Sequence, residues 1–162
     1  MSTIQKSHFL TVSAMIAALY VVLTELASLL GLSSGEIQLR FSEALTILPV
    51  FTPAAIPGLA IGCLLANLLT GCAIWDVVIG SAATLIGAVG TYLLRRHRIL
   101  AVLPPIAANT LILPFVLRWV YELPGTIPYL MMTIGIGETL SCGVLGLLLA
   151  HLLDPYQQKL FH

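Results

Sequence analysis

Charge is what this sequence has least of. Of 162 residues, 7 are Lys or Arg and 7 are Asp or Glu, so charged residues make up 9% and the formal net charge is zero. An ordinary soluble domain carries about 25% charged residues. A compact globule of this size could not cover itself with so few charges and stay dispersed in water. The scarcity excludes a cytosolic enzyme, and the lack of a basic excess excludes a nucleic-acid binder working through a basic patch. A disordered chain is excluded from the other side, because hydrophobic residues reach 59% and mean hydropathy is +1.03.

Other absences narrow the chemistry. The three cysteines, Cys63, Cys72 and Cys142, are an odd count without metal-ligand spacing. They form no complete disulfide framework and read as small buried hydrophobes. No Gly-x-x-x-x-Gly-Lys-Ser/Thr pattern occurs, so the chain is not expected to hydrolyse ATP itself. His8, His97, His151 and His162 make no His-x-x-x-His or His-Glu-x-x-His metal pattern. No Gly-x-Ser-x-Gly elbow supports an intramembrane hydrolase. Neither catalytic residues nor a cofactor is expected in this chain.

What is present is apolar sequence in long runs. A helix crosses the hydrocarbon layer in about 20 residues. Ser7–Thr24 is free of Lys, Arg, Asp and Glu for 18 residues, and the run continues past Glu25 to Leu32. Ala44–Trp75 is free of them for 32 residues, too long for one ordinary span and short for two. Pro49, Pro53 and Pro57 interrupt its middle, and each removes a backbone donor and disfavours helix before it. Two short spans with a tight turn are therefore expected there. Val77–Leu94 and Ile99–Leu117 follow, and Leu123–Ala150 is broken only by Glu138. The expected fold is all-α and integral to the membrane: one domain, 1–162, with six transmembrane helices near 8–31, 41–53, 56–71, 76–95, 99–120 and 127–152. A secretory signal peptide competes for the N-terminus, but the run is longer than a typical signal core and contains Glu25, so a retained span is expected.

An even number of spans puts both termini on one side. That side then carries Lys6, Arg95, Arg96, Arg98 and Lys159, and the other carries Arg40 and Arg118, which favours cytoplasmic termini. The acids sort the opposite way. Glu25, Glu36, Glu43, Asp76, Glu122 and Glu138 fall in the outer half or near mid-span, and Asp154 alone falls inside. The positive-inside rule does not require this, since it says little about Asp and Glu.

An outer half rich in carboxylates suits a cavity that captures a cation or a ligand rich in N–H donors, because ionised carboxylates only accept hydrogen bonds. Asn67 and Asn109 add amides that both donate and accept, or serve as helix-packing glue. Trp75, Trp119, Tyr121 and Tyr129 are placed to stack on a planar ring or to sit in the interfacial aromatic belt. Glu36 and Glu122 read as solvated loop charges. Glu25 either pairs with Arg40 or Arg118 or reaches out to water. Asp76 and Glu43 can serve as helix-start charges without losing a ligand role. Glu138 needs a partner most, because a mid-span carboxylate is costly. In span 1, Ser13, Ala14, Ala17 and Ala18 put small residues at three- and four-residue spacing, with Ala14 and Ala18 on one stripe, a surface for packing within the bundle or for another membrane subunit.

Four blocks of sequence resemble the queuosine-precursor transporter family, QueT. They are Gly35–Pro49, Pro53–Leu68, Trp75–Ser81 with Ala83–Leu85, and Gly135–Thr139. The resemblance covers about residues 8–153. It implies a substrate-binding S component of an energy-coupling factor (ECF) transporter, with six helices and an outward-opening pocket in a prokaryotic cytoplasmic membrane. The implied partners are an EcfT-like membrane coupling subunit and two cytosolic ATPases, with no nucleic acid. The S component would capture ligand and topple in the membrane as the ATPases cycle. Ala14, Ala17 and Ala18 resemble the alanine motif that meets the coupling subunit. The implied substrate is a 7-deazaguanine such as 7-aminomethyl-7-deazaguanine, or queuine.

Chemistry and placement then select Glu138 and Asp76 for the guanine-like N–H edge and the cationic group. Glu43 comes next, Asn67 serves the ring carbonyl or nitrogens, and Trp75 serves for stacking. Asn109, Glu25 and Arg40 complete the candidate set. The alternatives are an S component for another cationic heterocycle, a stand-alone proton-coupled carrier suggested by Glu138, and, last, a membrane enzyme or assembly factor.

Overall fold

A computed structural model of the chain describes residues 3–32, 38–157 and 160. Among these residues every regular element is helical, in the order α1 (Thr3–Leu29), a 3-10 helix (Phe41–Val50), α2 (Ala55–Leu69), α3 (Ile74–Leu93), α4 (Arg98–Ala101), α5 (Leu103–Trp119) and α6 (Ile127–Glu138). A π-helical segment (Thr139–Leu145), α7 (Gly146–Leu153) and a short 3-10 turn (Asp154–Tyr156) complete the chain. The helices sit where the apolar runs predict them. Four stretches are long and apolar enough to cross a membrane: Ile4–Leu29, Ile74–Leu93, Arg98–Trp119 and Ile127–Tyr156.

The expected spans 41–53 and 56–71 are realised as shorter elements. The first is a 3-10 helix of 10 residues, about 20 Å at the 3-10 rise of about 2.0 Å per residue. The second has 15 residues, about 22 Å at about 1.5 Å per residue. Both fall short of a hydrocarbon layer about 30 Å thick. The prolines account for the shortness: Pro49 lies in the last turn of the 3-10 helix, and Pro57 falls in the first turn of α2, where no intrahelical N–H is needed. Thr46 turns its hydroxyl back to the Glu43 carbonyl at 2.6 Å, in keeping with the three-residue repeat.

The 3-10 helix is the central strut. Ser42, Glu43, Leu45, Thr46, Ile47, Leu48 and Pro49 are all buried on it, and it packs against α1, α2, α3, α7 and the π segment. The core around it takes Ile16 and Tyr20 from α1, Leu59 and Cys63 from α2 and Ala150 from α7.

The small residues of α1 divide between two faces. Ala14 and Ala18 are exposed, whereas Ser13 and Ala17 are buried. Ser13 donates to the Ala54 carbonyl at 2.8 Å. Ala17 lies against Gly62 of α2, where an added Cβ would stand 3.0 Å from the Ala17 Cα. Ala17 therefore packs the bundle, and only Ala14 and Ala18 remain on an open stripe. At the end of the bundle carrying Arg95, Arg96 and Arg98, Arg98 pairs with Asp154 and lies 5.4 Å from the Phe51 ring. Lys159 lies outside the described residues.

Candidate functional site

At the opposite end, the last turns of α1, α2 and α5 and the first turn of α3 surround a cavity of about 280 Å³. Its polar lining includes Gln38, Arg40, Asn67, Cys72, Asp76 and Tyr121. Below it lies a void of about 20 Å³ that shares Gln38, Arg40 and Asp76 with the upper cavity and reaches Glu138.

Arg40 comes to this place through extended backbone just before the 3-10 helix (φ −113°, ψ 108°). Its N–H donates to the Ser141 hydroxyl at 3.2 Å, and its guanidinium donates to the Gln38 side-chain oxygen at 3.3 Å. Gly137 makes the approach possible, because a Cβ there would stand 2.3 Å from the Gln38 carbonyl oxygen. The glycine before Glu138 thus lets the Gln38–Arg40 backbone lie directly on α6.

Asp76 sits in the first turn of α3 and is buried. Its Oδ2 accepts from the Tyr121 hydroxyl at 2.9 Å, and that hydroxyl accepts the Ala73 N–H at 3.1 Å. Burial pushes the Tyr121 phenol above its ordinary range, and the Asp76 carboxylate adds to the shift, so the hydroxyl stays a donor. The chain after α5 is bent to deliver this contact. Glu122 has φ +51°, which costs a non-glycine residue about 1–2 kcal/mol. The Leu123 N–H returns to the Leu117 carbonyl at 3.1 Å, and Arg118 donates to the Leu123 carbonyl at 3.1 Å.

Beneath the cavity, Glu43 and Glu138 join one polar node. The Tyr20 hydroxyl donates to Glu43 Oε1 at 2.5 Å, and the Cys142 thiol donates to Glu138 Oε2 at 3.2 Å. The Asn109 amide lies beside both carboxyls. Donor atoms of Glu43, Glu138 and Cys142 all lie within 4.8 Å of one another, close enough to surround a small cation. Tyr20 and Thr46 already engage these atoms, so the node also stands as a hydrogen-bond network. Arg40 is the cation whose field reaches Glu43, Glu138 and Asp76 together.

The expected site residues therefore fall into three groups. Arg40, Asn67 and Asp76 line the main cavity, and Glu138 lines its floor. Glu43 and Asn109 lie behind the floor. Trp75 and Glu25 are elsewhere. Trp75 is 62% exposed and lines an outer apolar groove with Phe115 and Trp119, so its position does not bring it to a ligand in the cavity. Glu25 is half-buried with its Oε1 unpartnered, and it pairs with neither Arg40 nor Arg118. Glu36 lies outside the described residues. Sequence reasoning missed Gln38 and Cys72 and offered Tyr121 only for ring stacking or the aromatic belt. Gln38 was findable, since residues two apart in extended backbone share a side.

A family model described as QueT transporter matches residues 10–155. Among curated proteins, the chain is similar to a protein of Lactococcus lactis subsp. cremoris (strain MG1363) named Queuosine precursor transporter QueT, with 37% identity over 81 residues. That alignment takes in 50% of this chain and 47% of the relative, so the chain spans about half the length of the curated relative it matches. No solved structure matches.

Proposed function

The chain belongs to the QueT transporter family, and from that premise we propose that it is the substrate-capturing S component of an ECF-type importer for a queuosine precursor. Six helices cross a prokaryotic cytoplasmic membrane, the two short ones held within the bundle. The arginine end faces the cytoplasm, as the bias of basic residues favours, and the cavity faces outward. ATP hydrolysis falls to two cytosolic ATPases reached through a membrane coupling subunit, which meets the open Ala14 and Ala18 stripe of α1.

The observation that carries the reading is the convergence of Arg40, Asn67 and Asp76 in one cavity with Glu138 at its floor. A deazaguanine presents a carbonyl acceptor beside N–H donors, which suits a guanidinium and amide beside carboxylates. Three carboxyl groups, Asp76, Glu138 and Glu43, stand near a single arginine. That imbalance favours a ligand bringing its own positive charge, as the aminomethyl group of 7-aminomethyl-7-deazaguanine does.

The test is titration of the purified chain with 7-aminomethyl-7-deazaguanine, queuine, guanine and thiamine. Binding is expected to be tightest for a cationic deazaguanine. Glu138→Gln and Asp76→Asn should each weaken it by about 10–1000-fold, and wild-type affinity in both variants would overturn the assignment. The Glu43–Asn109–Glu138 node favours one rival, a proton-coupled carrier. Uptake by the reconstituted chain alone, driven by a proton gradient, would decide for that rival.

A further inference from the structure

The cavity wall built by α2 and α3 carries a donor and an acceptor side by side. Asn67 and Asp76 are both buried, and both line the cavity. Asn67 Nδ2 and Asp76 Oδ1 lie 3.2 Å and 3.5 Å from the point where a Cβ on Gly80 would stand. Glycine there leaves the two groups their room. The Asn67 Nδ2 reaches only the Cys63 sulfur, at 3.7 Å, and sulfur is a weak acceptor.

The two oxygens of Asp76 are not equivalent. Oδ2 is held by the Tyr121 hydroxyl, which is itself anchored on the Ala73 N–H. Oδ1 is left for something else. The bond joins the first turn of α3 to the segment after α5, across 45 residues of sequence. Glu122, the residue beside Tyr121, keeps φ +51°, a conformation that persists only where the surrounding contacts enforce it.

We propose that this wall reads an adjacent carbonyl and N–H on one edge of the ligand ring, and that Tyr121 is a positioning residue aiming Asp76 at that edge. The inference rests on the heterocycle reading above and assigns a ring edge within it. Asn67 Nδ2 donates to the ligand carbonyl, and Asp76 Oδ1 accepts the neighbouring N–H. A 6-amino ring reverses both groups, setting a donor against a donor and a lone pair against a carboxylate. Tyr121 touches no ligand atom in this scheme and acts through Asp76.

The experiment uses the purified full chain and two ligands, 7-aminomethyl-7-deazaguanine and its 6-amino counterpart. Wild type should prefer the 6-oxo ligand by about 100-fold, since the wrong edge leaves two buried groups unpaired. Tyr121→Phe keeps the ring and should melt like wild type. It should weaken 6-oxo binding by about 10-fold in the wild-type background, yet by less than about twofold in an Asp76→Asn background. Equal losses in the two backgrounds would show that Tyr121 acts independently of Asp76 and would overturn the proposal. So would full affinity in Tyr121→Phe. Gly80→Ala is the second variant, and it should abolish the preference between the two ligands; an unchanged preference would overturn the edge assignment. If wild type binds no deazaguanine, the transport reading itself has failed. The splint is then judged without ligand, by maleimide labelling of Cys72, in the α2–α3 turn just before Ala73. Tyr121→Phe should label several-fold faster than wild type, and an equal rate would overturn the role of Tyr121.

Discussion

Glu138 and Trp75 show what depth along a sequence can and cannot say about a side chain. A single acid in an apolar run must find partners, and Glu138 has the Cys142 thiol, with the Asn109 amide beside it. Glu138→Gln keeps the size and an acceptor while replacing the carboxyl with an amide, so the fold should hold and ligand affinity should fall by about 10–1000-fold. Thermal melting beside calorimetric titration checks both halves. Trp75 faces away from the cavity. It precedes Asp76 by one residue, and one α-helical step is about 100° of rotation, so Asp76 faces inward while Trp75 faces out. Tyr121 was illegible as a site residue because its hydroxyl bond spans 45 residues. Nothing in the local sequence separates it from the other aromatics of an interfacial belt.

Helices were legible from apolar runs and proline positions, but their rise and facing were not. The pattern Phe41–Val50 does not reveal a three-residue repeat, because seven of its ten positions are buried, on more than one face. The contact that places Arg40 is equally silent in sequence, since it joins the Gln38 backbone to α6 through the missing side chain of Gly137. Gly137→Ala puts a methyl group into the Gln38 carbonyl, and overpacking of this kind costs about 1–3 kcal/mol. The variant should melt lower and lose ligand affinity by about 10-fold or more, because Arg40 moves with Gln38. Gly143→Ala in the same span meets nothing closer than 3.7 Å, so it should leave both measurements near wild type and serves as the control.

At the scale of the whole molecule, the charges divide along the long axis. Arg95, Arg96, Arg98 and Asp154 mark one end, and Asp76, Arg40 and Tyr121 mark the cavity end. Cys72 reports on that axis without mutation. It is half-buried and lines the cavity, whereas Cys63 and Cys142 are buried. In intact cells a membrane-impermeant maleimide should label Cys72 from outside, and bound deazaguanine should slow the reaction. Labelling only after the membrane is opened would reverse the orientation.

The π segment between α6 and α7 has a consequence for length tolerance. Glu138 and Ala150, on either side of it, are both buried. Uniform steps of about 100° would set them about 120° apart around the helix. The wider π turn, with its i→i+5 bonds, takes up about one extra residue and brings them back to within about 20°. One residue in Thr139–Leu145 is therefore spare. Deleting Gly143 lets the segment close into an ordinary α-helix, with Glu138 and Ala150 still within about 20° of each other. Deleting Leu148 inside α7 swings Ala150 away by about 100°. The first deletion should fold and bind close to wild type, and the second should not fold. A family that gains and loses single residues in this helix has one place to do so without moving its binding site.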